Sequence, residues 1–275
     1  MKNRIAGMAR LAILLIALAV VLFPLYWMIN TALKPEGEIF QTPPTFISGN
    51  WSFDAFVNLF ATRPIARYFF NSLVVATGTT ALCVSFAALA AYGLTRFTIR
   101  IEALILMGLL FIKMLPETLL VVPFYGLIAD MRLINSYVSL ILVYTSFALP
   151  FALWMLIGFF RVIPKELDEA AIVDGASRLQ AFWGIILPLA RPGLTAVAML
   201  TFLTAWNSYL WALVLTTTPD MFVLPVGIAA LKGEYQIHWN ELMAAAVIAV
   251  VPVLAIYSVF ERYLVAGITA GAVKG

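Results

Sequence analysis

Six stretches of this sequence are apolar for nineteen or more residues: 11–29, 71–94, 103–128, 136–160, 193–215 and 242–260. At about 1.5 Å of rise per residue, even the shortest reaches about 28 Å as a helix, close to the thickness of a bilayer's hydrocarbon core. In lipid, each backbone amide must find its partner inside its own segment, so open stretches of this kind are helices. The expected fold is therefore an all-α integral membrane protein. It is a bundle of six transmembrane helices in a single domain over residues 1–275. Charged residues make up only 11% of the chain against 63% hydrophobic, which excludes an ordinary water-soluble domain.

Charge sets the expected orientation. With both termini cytoplasmic, the inner segments carry Lys2, Arg4, Arg10, Arg96, Arg100, Arg161, Lys165, Arg178, Arg191, Arg262 and Lys274. The outer ones carry Lys34, Arg63, Arg67, Arg132 and Lys232. This is the positive-inside bias, so the net charge of +3 implies no nucleic-acid partner. Residues 11–29 are longer than the usual core of a signal peptide and lack a small-x-small cleavage site, so they are expected to stay as the first span. A single cysteine, Cys83, allows no internal disulfide and reads as a small packing residue. The sole histidine, His238, has no companion ligands nearby in sequence and implies no metal site.

Several stretches carry more specific information. Residues 31–70 read as a mixed outer loop with Pro35, Pro43, Pro44 and Trp51. The second span is rich in Ala76, Gly78, Ala81, Ala87, Ala88, Ala90 and Ala91, which mark close helix–helix approach inside the bundle. The third span holds Lys113 and Glu117 on either side of Pro116. Four residues apart on a helix, they share a face. Two readings stand: they line a pathway or gate, or they pair internally and brace a kinked helix. Pro116 and Pro123 permit bending there. In the fifth span, Trp206, Asn207, Ser208, Tyr209 and Trp211 combine aromatic faces with amide and hydroxyl groups, as sugar recognition requires. Interfacial anchoring is the alternative for the aromatic members. An amide within lipid needs a partner, so Asn207 is the first candidate for solute contact, Tyr209 the second, and Trp206 the member expected to pack.

Between the fourth and fifth spans lies a polar island, residues 161–192. Pro164 suits a first helical turn, and Glu166, Asp168 and Glu169 suit a positive helix N-terminus. Gly175 permits the left-handed residue that ends many helices, and Ser177 can cap a second helix running toward Leu187. Pro188 and Pro192 mark its exit. The island is thus a cytoplasmic helix–turn–helix. Its first helix sets Leu167, Ala170 and Ala171 on one shallow face, suited to docking a partner or simply solvated.

The island also carries a resemblance. Glu169-Ala170-Ala171, three residues, Gly175, nine residues, then Ile185-x-Leu187-Pro188 is similar to the signature loop of permease subunits of ABC importers. Residues 163–177 (IPKELDEAAIVDGAS), the Trp206-Asn207 pair and the ending Gly267–Gly275 resemble the carbohydrate branch, the shorter maltose-type permease in particular. The likeness covers nearly the whole chain. It implies a type I ABC importer permease fold and a coupling helix seated in a cytoplasmic ATPase, with Glu169, Ala170, Ala171, Asp174 and Gly175 at the contact. It implies a second homologous permease, two ATPase subunits that bind the ATP, an extracytoplasmic solute-binding protein facing the loop after the first span, and a sugar substrate. The place is a bacterial inner membrane. The tail 267–275 reads as flexible, and in the resembled subunits it reaches the ATPase dimer interface.

The sequence has no G-x-x-x-x-G-K-[ST] phosphate loop, so no ATP site, cofactor or catalytic set is expected in this chain itself. The reading is a transport subunit and not an enzyme. The rival is an ion-coupled secondary transporter of a small polar solute, in which Lys113 and Glu117 would be the coupling pair. That class favours inverted repeats with broken helices at matching positions, and none stands out.

Overall fold

Backbone amides that cannot bond to water are satisfied here by helices throughout. A computed structural model of the chain describes the backbone of residues 2–233 and 237–272, and the side chains of residues 7–233 and 237–261. Among the described residues there is no strand. The helices are α1 (Lys2–Ala32), α2 (Glu36–Ile39), α3 (Asp54–Thr62), α4 (Ile65–Arg96), α5 (Glu102–Met114), α6 (Glu117–Asp130), α7 (Tyr137–Val162) and α8 (Glu166–Val173). They continue with α9 (Arg178–Ala181), a π-helical stretch Phe182–Ile186, α10 (Leu187–Leu189), α11 (Arg191–Trp206), α12 (Leu210–Leu215), a 3₁₀ turn Pro219–Met221, α13 (Leu224–Ala229) and α14 (Trp239–Ala272).

Four helices are long and apolar enough to cross a bilayer alone: Gly7–Ala32 of α1, α4, α7 and Trp239–Glu261 of α14. Two bent pairs bring the number to as many as six: α5 with α6, at 101°, and residues 178–189 with α11, at 78°.

The chain divides into two units, residues 1–66 with 227–252 and residues 67–226 with 253–275. In the first, α1 keeps none of its most apolar window buried within the chain. The mixed loop expected over residues 31–70 is largely folded. The helix α1 runs on to Ala32, α3 fills Asp54–Thr62, and α4 begins at Ile65. Polar side chains tie down what lies between. Lys34 is 4% exposed; its ammonium lies 5.2 Å from the Trp27 ring centre and donates to the Thr45 carbonyl. Glu38 accepts from Ser48 Oγ at 2.6 Å and Asn50 Nδ2 at 3.0 Å. Those two hydrogen bonds hold its carboxyl below the usual range. His238 Nδ1 lies 3.0 Å from Glu36 Oε1, and no three metal-ligating side chains converge among the described residues.

In the second unit, the small residues of α4 expected to mark close helix contact fall on two sides of the helix. Ala76, Cys83, Ala87 and Ala91 are fully buried along one stripe, whereas Ala81 and Ala90 remain exposed on the other side. The packing is tight at two glycines. A Cβ on Gly78 would sit 2.6 Å from Ile141 Cδ1, and one on Gly193 would sit 2.4 Å from Phe159 Cγ. Backbones this close are how helices associate where lipid supplies no hydrophobic drive. One apolar core joins α4, α7, the π stretch and α11 through Ala87, Ala91, Leu156, Phe160, Phe182, Ile186 and Val197. The helix α7 starts at Ser136, whose Oγ accepts from the Ser139 N–H at 3.2 Å, and carries Pro150 without a break. The turn before it holds Arg132 and Asn135 at φ 56° and 60°. The Asn135 amide oxygen accepts from Thr217 N–H at 2.9 Å.

Two expected continuities are absent and one unexpected continuity is present. Residues 103–128 are not one continuous helix: α5 stops at Met114 and α6 starts at Glu117. Pro116 has no N–H to continue the ladder and forces extended backbone on Leu115, at ψ 132°. Residues 193–215 are not one helix either. The helix α11 ends at Trp206, and α12 begins only at Leu210; at this end the Leu203 carbonyl accepts from both the Asn207 backbone N–H at 3.1 Å and its side-chain amide at 2.8 Å. The glycine-containing ending expected to be flexible continues as helix through Ala272, with residues 273–275 outside the described residues.

Candidate functional site

The island between α7 and α11 folds as its residues dictate. The helix α8 ends in a Schellman motif. Gly175 adopts φ 92°, its N–H donates to the Ile172 carbonyl at 3.0 Å, and the Ala176 N–H donates to the Ala171 carbonyl at 2.9 Å. Ser177 then caps α9 in a capping box. Its Oγ accepts from the Gln180 N–H at 3.3 Å, and its own N–H donates to Gln180 Oε1 at 2.7 Å.

A buried ion pair fixes which way α8 faces. Asp168 Oδ2 lies 2.6 Å from Arg96 Nε at the end of α4, and their side chains are 5% and 3% exposed. The Tyr92 hydroxyl, one turn earlier on α4, lies 3.1 Å from Asp168 Oδ1 and 3.2 Å from the Arg178 carbonyl, so its proton is shared between two acceptors. Arg96 Nη2 donates to the Ile163 carbonyl at 3.1 Å. The Tyr92 and Phe182 rings are 4.9 Å apart, and the Arg178 guanidinium sits 4.9 Å above Phe97. One network thus ties the last turn of α4 to both arms of the island. Burying this pair is costly unless each charge is well partnered, and here hydrogen bonds supplement it.

The pin corrects the expected face. With Asp168 turned inward, Ala171, three residues on, is also inward and 8% exposed, so it does not join Leu167 and Ala170. The outward side carries Glu166, Glu169, Ala170, Asp174 and Val173, the last 86% exposed. Leu167, Leu179 and Trp183 add apolar surface at 39%, 60% and 62% exposure. A short helix with an acidic rim and exposed apolar side chains is a docking surface in form.

The membrane groups are arranged differently from their sequence spacing. Lys113 and Glu117 form no ion pair, because the break at Leu115–Pro116 removes them from a common helix. Glu117 Oε2 instead accepts from Trp211 Nε1 at 3.1 Å. Trp211 is 1% exposed and stacks on Phe147 at 4.9 Å, so Glu117 braces α6 against α12. Lys113 has no ion pair or hydrogen bond among the described residues and lines a cavity of about 280 Å³. Trp206 packs, 2% exposed, stacked on Phe202 at 5.7 Å. Asn207 and Tyr209 are exposed at the helix break, so the three do not occupy one helical turn.

Sequence reasoning passed over the Arg96–Asp168 pair. Arg96 read as a flanking charge and Asp168 as an N-terminal dipole partner. Asp168 sits one position inside the acidic run and three before Ala171, which is the only local hint that it shares the inward face.

Long apolar helices, a polar helix–turn–helix pinned to one of them and polar groups at helix breaks define a multi-pass membrane permease. Residues 9–270 match the family described as binding-protein-dependent transport system inner membrane component, and the chain belongs to that family. It is a permease subunit of an ABC importer. It is 36% identical over 254 residues to the sulfoquinovosyl glycerol transport system permease protein of Agrobacterium fabrum, covering 92% of this chain and 89% of that one. It is 35% identical over 257 residues to the trehalose/maltose transport system permease protein of Thermococcus litoralis, covering 92% of each. Its fold is that of a type I importer permease. A crystal structure of a bacterial ABC transporter involved in import of the acidic polysaccharide alginate superposes with a TM-score of 0.81, at 22% identity, covering 96% of this chain and 98% of that one.

Proposed function

We propose that this chain is one of two homologous permeases in a bacterial importer of a sugar, an oligosaccharide, disaccharide or related glycoside. An extracytoplasmic binding protein delivers the sugar, and two cytoplasmic ATPases bind and hydrolyse the ATP. The relatives named for sulfoquinovosyl glycerol and for trehalose/maltose support the substrate class. The observation that carries the coupling role is the exposed Glu169–Ala170–Val173 side of α8, held in place by the buried Arg96–Asp168 pair.

ATP closes the ATPase pair and draws the two coupling loops together. In this chain the displacement passes from α8 through Asp168 and Arg96 into the end of α4, and through Phe182 and Ile186 into the α7–α11 core. Rocking of that core reorients the solute cavity, a hinge-type alternating access. Both termini are cytoplasmic in this reading. A reporter active only outside the cytoplasm works after Ala129 and fails after Arg161.

The direct test is to purify the tagged chain from its own bacterium, identify what travels with it, and measure which sugars raise the ATPase rate in the presence of the binding protein. Recovery of an ATPase and stimulation by a glycoside support the reading. Recovery without an ATPase, with uptake that follows an ion gradient, overturns it.

A further inference from the structure

Lys113 stands apart from the other membrane charge. It lies at the end of α5, eleven residues from Glu102. At about 1.5 Å per residue this places it some 16 Å along the helix, deep within an apolar stretch long enough for a membrane span. Ionised side chains at such depth are paired or face water or a ligand. Glu117, the carboxylate nearest in sequence, is held by Trp211, and no described carboxylate lies within ion-pair distance of Lys113.

The cavity around it has a specific chemistry. Its volume is about 280 Å³, at the small end of ligand sites, and so fits one sugar ring better than a whole oligosaccharide. The walls are Leu110 and Lys113 from α5, Ala148 and Phe151 from α7, and Leu200, Thr201 and Thr204 from α11. Thr204 already donates its hydroxyl proton to the Leu200 carbonyl at 2.8 Å, which leaves its oxygen as an acceptor for a solute hydroxyl. Phe151 is 45% exposed and offers a flat face to the C–H side of a sugar ring. The ammonium of Lys113 offers three donors and a full charge.

A neutral sugar uses the acceptor oxygens and the ring face but leaves that charge uncompensated. We propose that this cavity is a transient subsite for an acidic sugar unit, in which Lys113 receives the carboxylate, sulfonate or phosphate, Thr204 accepts from a ring hydroxyl, and Phe151 supports the ring. The proposal rests on the sugar-import reading and narrows its substrate class. Carboxylate, sulfonate and phosphate share the chemistry that Lys113 reads, and the experiment separates them.

The complete importer, with its binding protein and ATPase, is assayed for uptake of labelled digalacturonate, a glucose sulfonate, a glucose phosphate and neutral maltose. Wild type is compared with Lys113→Gln and Lys113→Arg, and copurification of the second permease and the ATPase is followed in parallel. The expected result is uptake of at least one anionic sugar that falls tenfold or more in Lys113→Gln, is largely retained in Lys113→Arg, and is accompanied by normal assembly. Uptake of maltose alone, unchanged in Lys113→Gln, overturns the acidic subsite and leaves sugar import standing. Loss of the second permease from Lys113→Gln overturns it differently, by making Lys113 one half of an ion pair between subunits. Transport of no sugar by an assembled wild type defeats the sugar-import reading itself.

Discussion

Arg96 Nε and Asp168 Oδ2 lie 2.6 Å apart in a setting where both side chains are almost fully buried. This contact joins the last turn of α4 to the short helix α8. Removing one partner of a buried pair costs about 3–5 kcal/mol, while replacing both by apolar groups of similar volume is often close to neutral. Arg96→Met and Asp168→Leu, made singly in the assembled importer, will each lower its thermal midpoint by several degrees and abolish most uptake. The double variant will lose less stability than the two losses added together. Additive losses in the double-mutant cycle contradict a direct pair.

Gly175 tests the end of α8 separately from its anchor. Nothing lies within 4 Å of a Cβ built there, so any penalty is one of backbone and not of space. A β-branched residue at φ 92° costs about 1 kcal/mol or more, whereas Asn visits the left-handed region readily. Gly175→Val will insert in the membrane but lose uptake and ATPase association, and Gly175→Asn will keep both. Equal behaviour of the two variants contradicts the left-handed requirement.

Much of this was legible in the sequence because the lipid solvent imposes so few options. Six apolar stretches imposed helices, and the small residues of the second span implied close packing, but composition alone did not separate the buried Ala76, Ala87 and Ala91 from the exposed Ala81 and Ala90. Gly175 and Ser177 marked a helix end and a cap that local backbone chemistry alone decides. What sequence spacing could not supply was any relation that depends on a break. Lys113 and Glu117 sit four apart, but Pro116 separates them into two helices bent by 101°. The inward turn of Ala171 follows from Asp168, whose partner Arg96 lies seventy-two positions before it. No periodicity within α8 reveals it.

Gly193 lies where α11 crosses α7. A methyl group there would meet Phe159 at 2.4 Å, and overpacking of this kind typically costs about 1–3 kcal/mol. Gly193→Ala will lower the thermal midpoint of the purified importer, and Phe159→Leu in the same chain will recover part of the loss. A neutral Gly193→Ala contradicts the close crossing.

Asn207 is exposed at the α11–α12 break, with its amide N–H₂ engaged by Leu203 and its Oδ1 bonded to no described residue. If that oxygen accepts from a sugar hydroxyl, its loss is worth about 0.5–1.5 kcal/mol. Asn207→Ala will raise the half-saturation concentration for uptake several-fold while leaving copurification of the ATPase intact. Failed assembly would instead mark Asn207 as a structural cap.

The facing of α8 can be read residue by residue. Cysteine is placed in turn at Ala170, Ala171 and Val173 in an importer lacking native Cys83, and a short thiol-to-amine cross-linker is added to the intact complex. Ala170→Cys and Val173→Cys are expected to join the chain to its ATPase, and Ala171→Cys, beside the buried Asp168, is expected not to. A transport-competent importer in which neither exposed position reaches an ATPase, or in which Ala171→Cys reaches it equally well, contradicts the account.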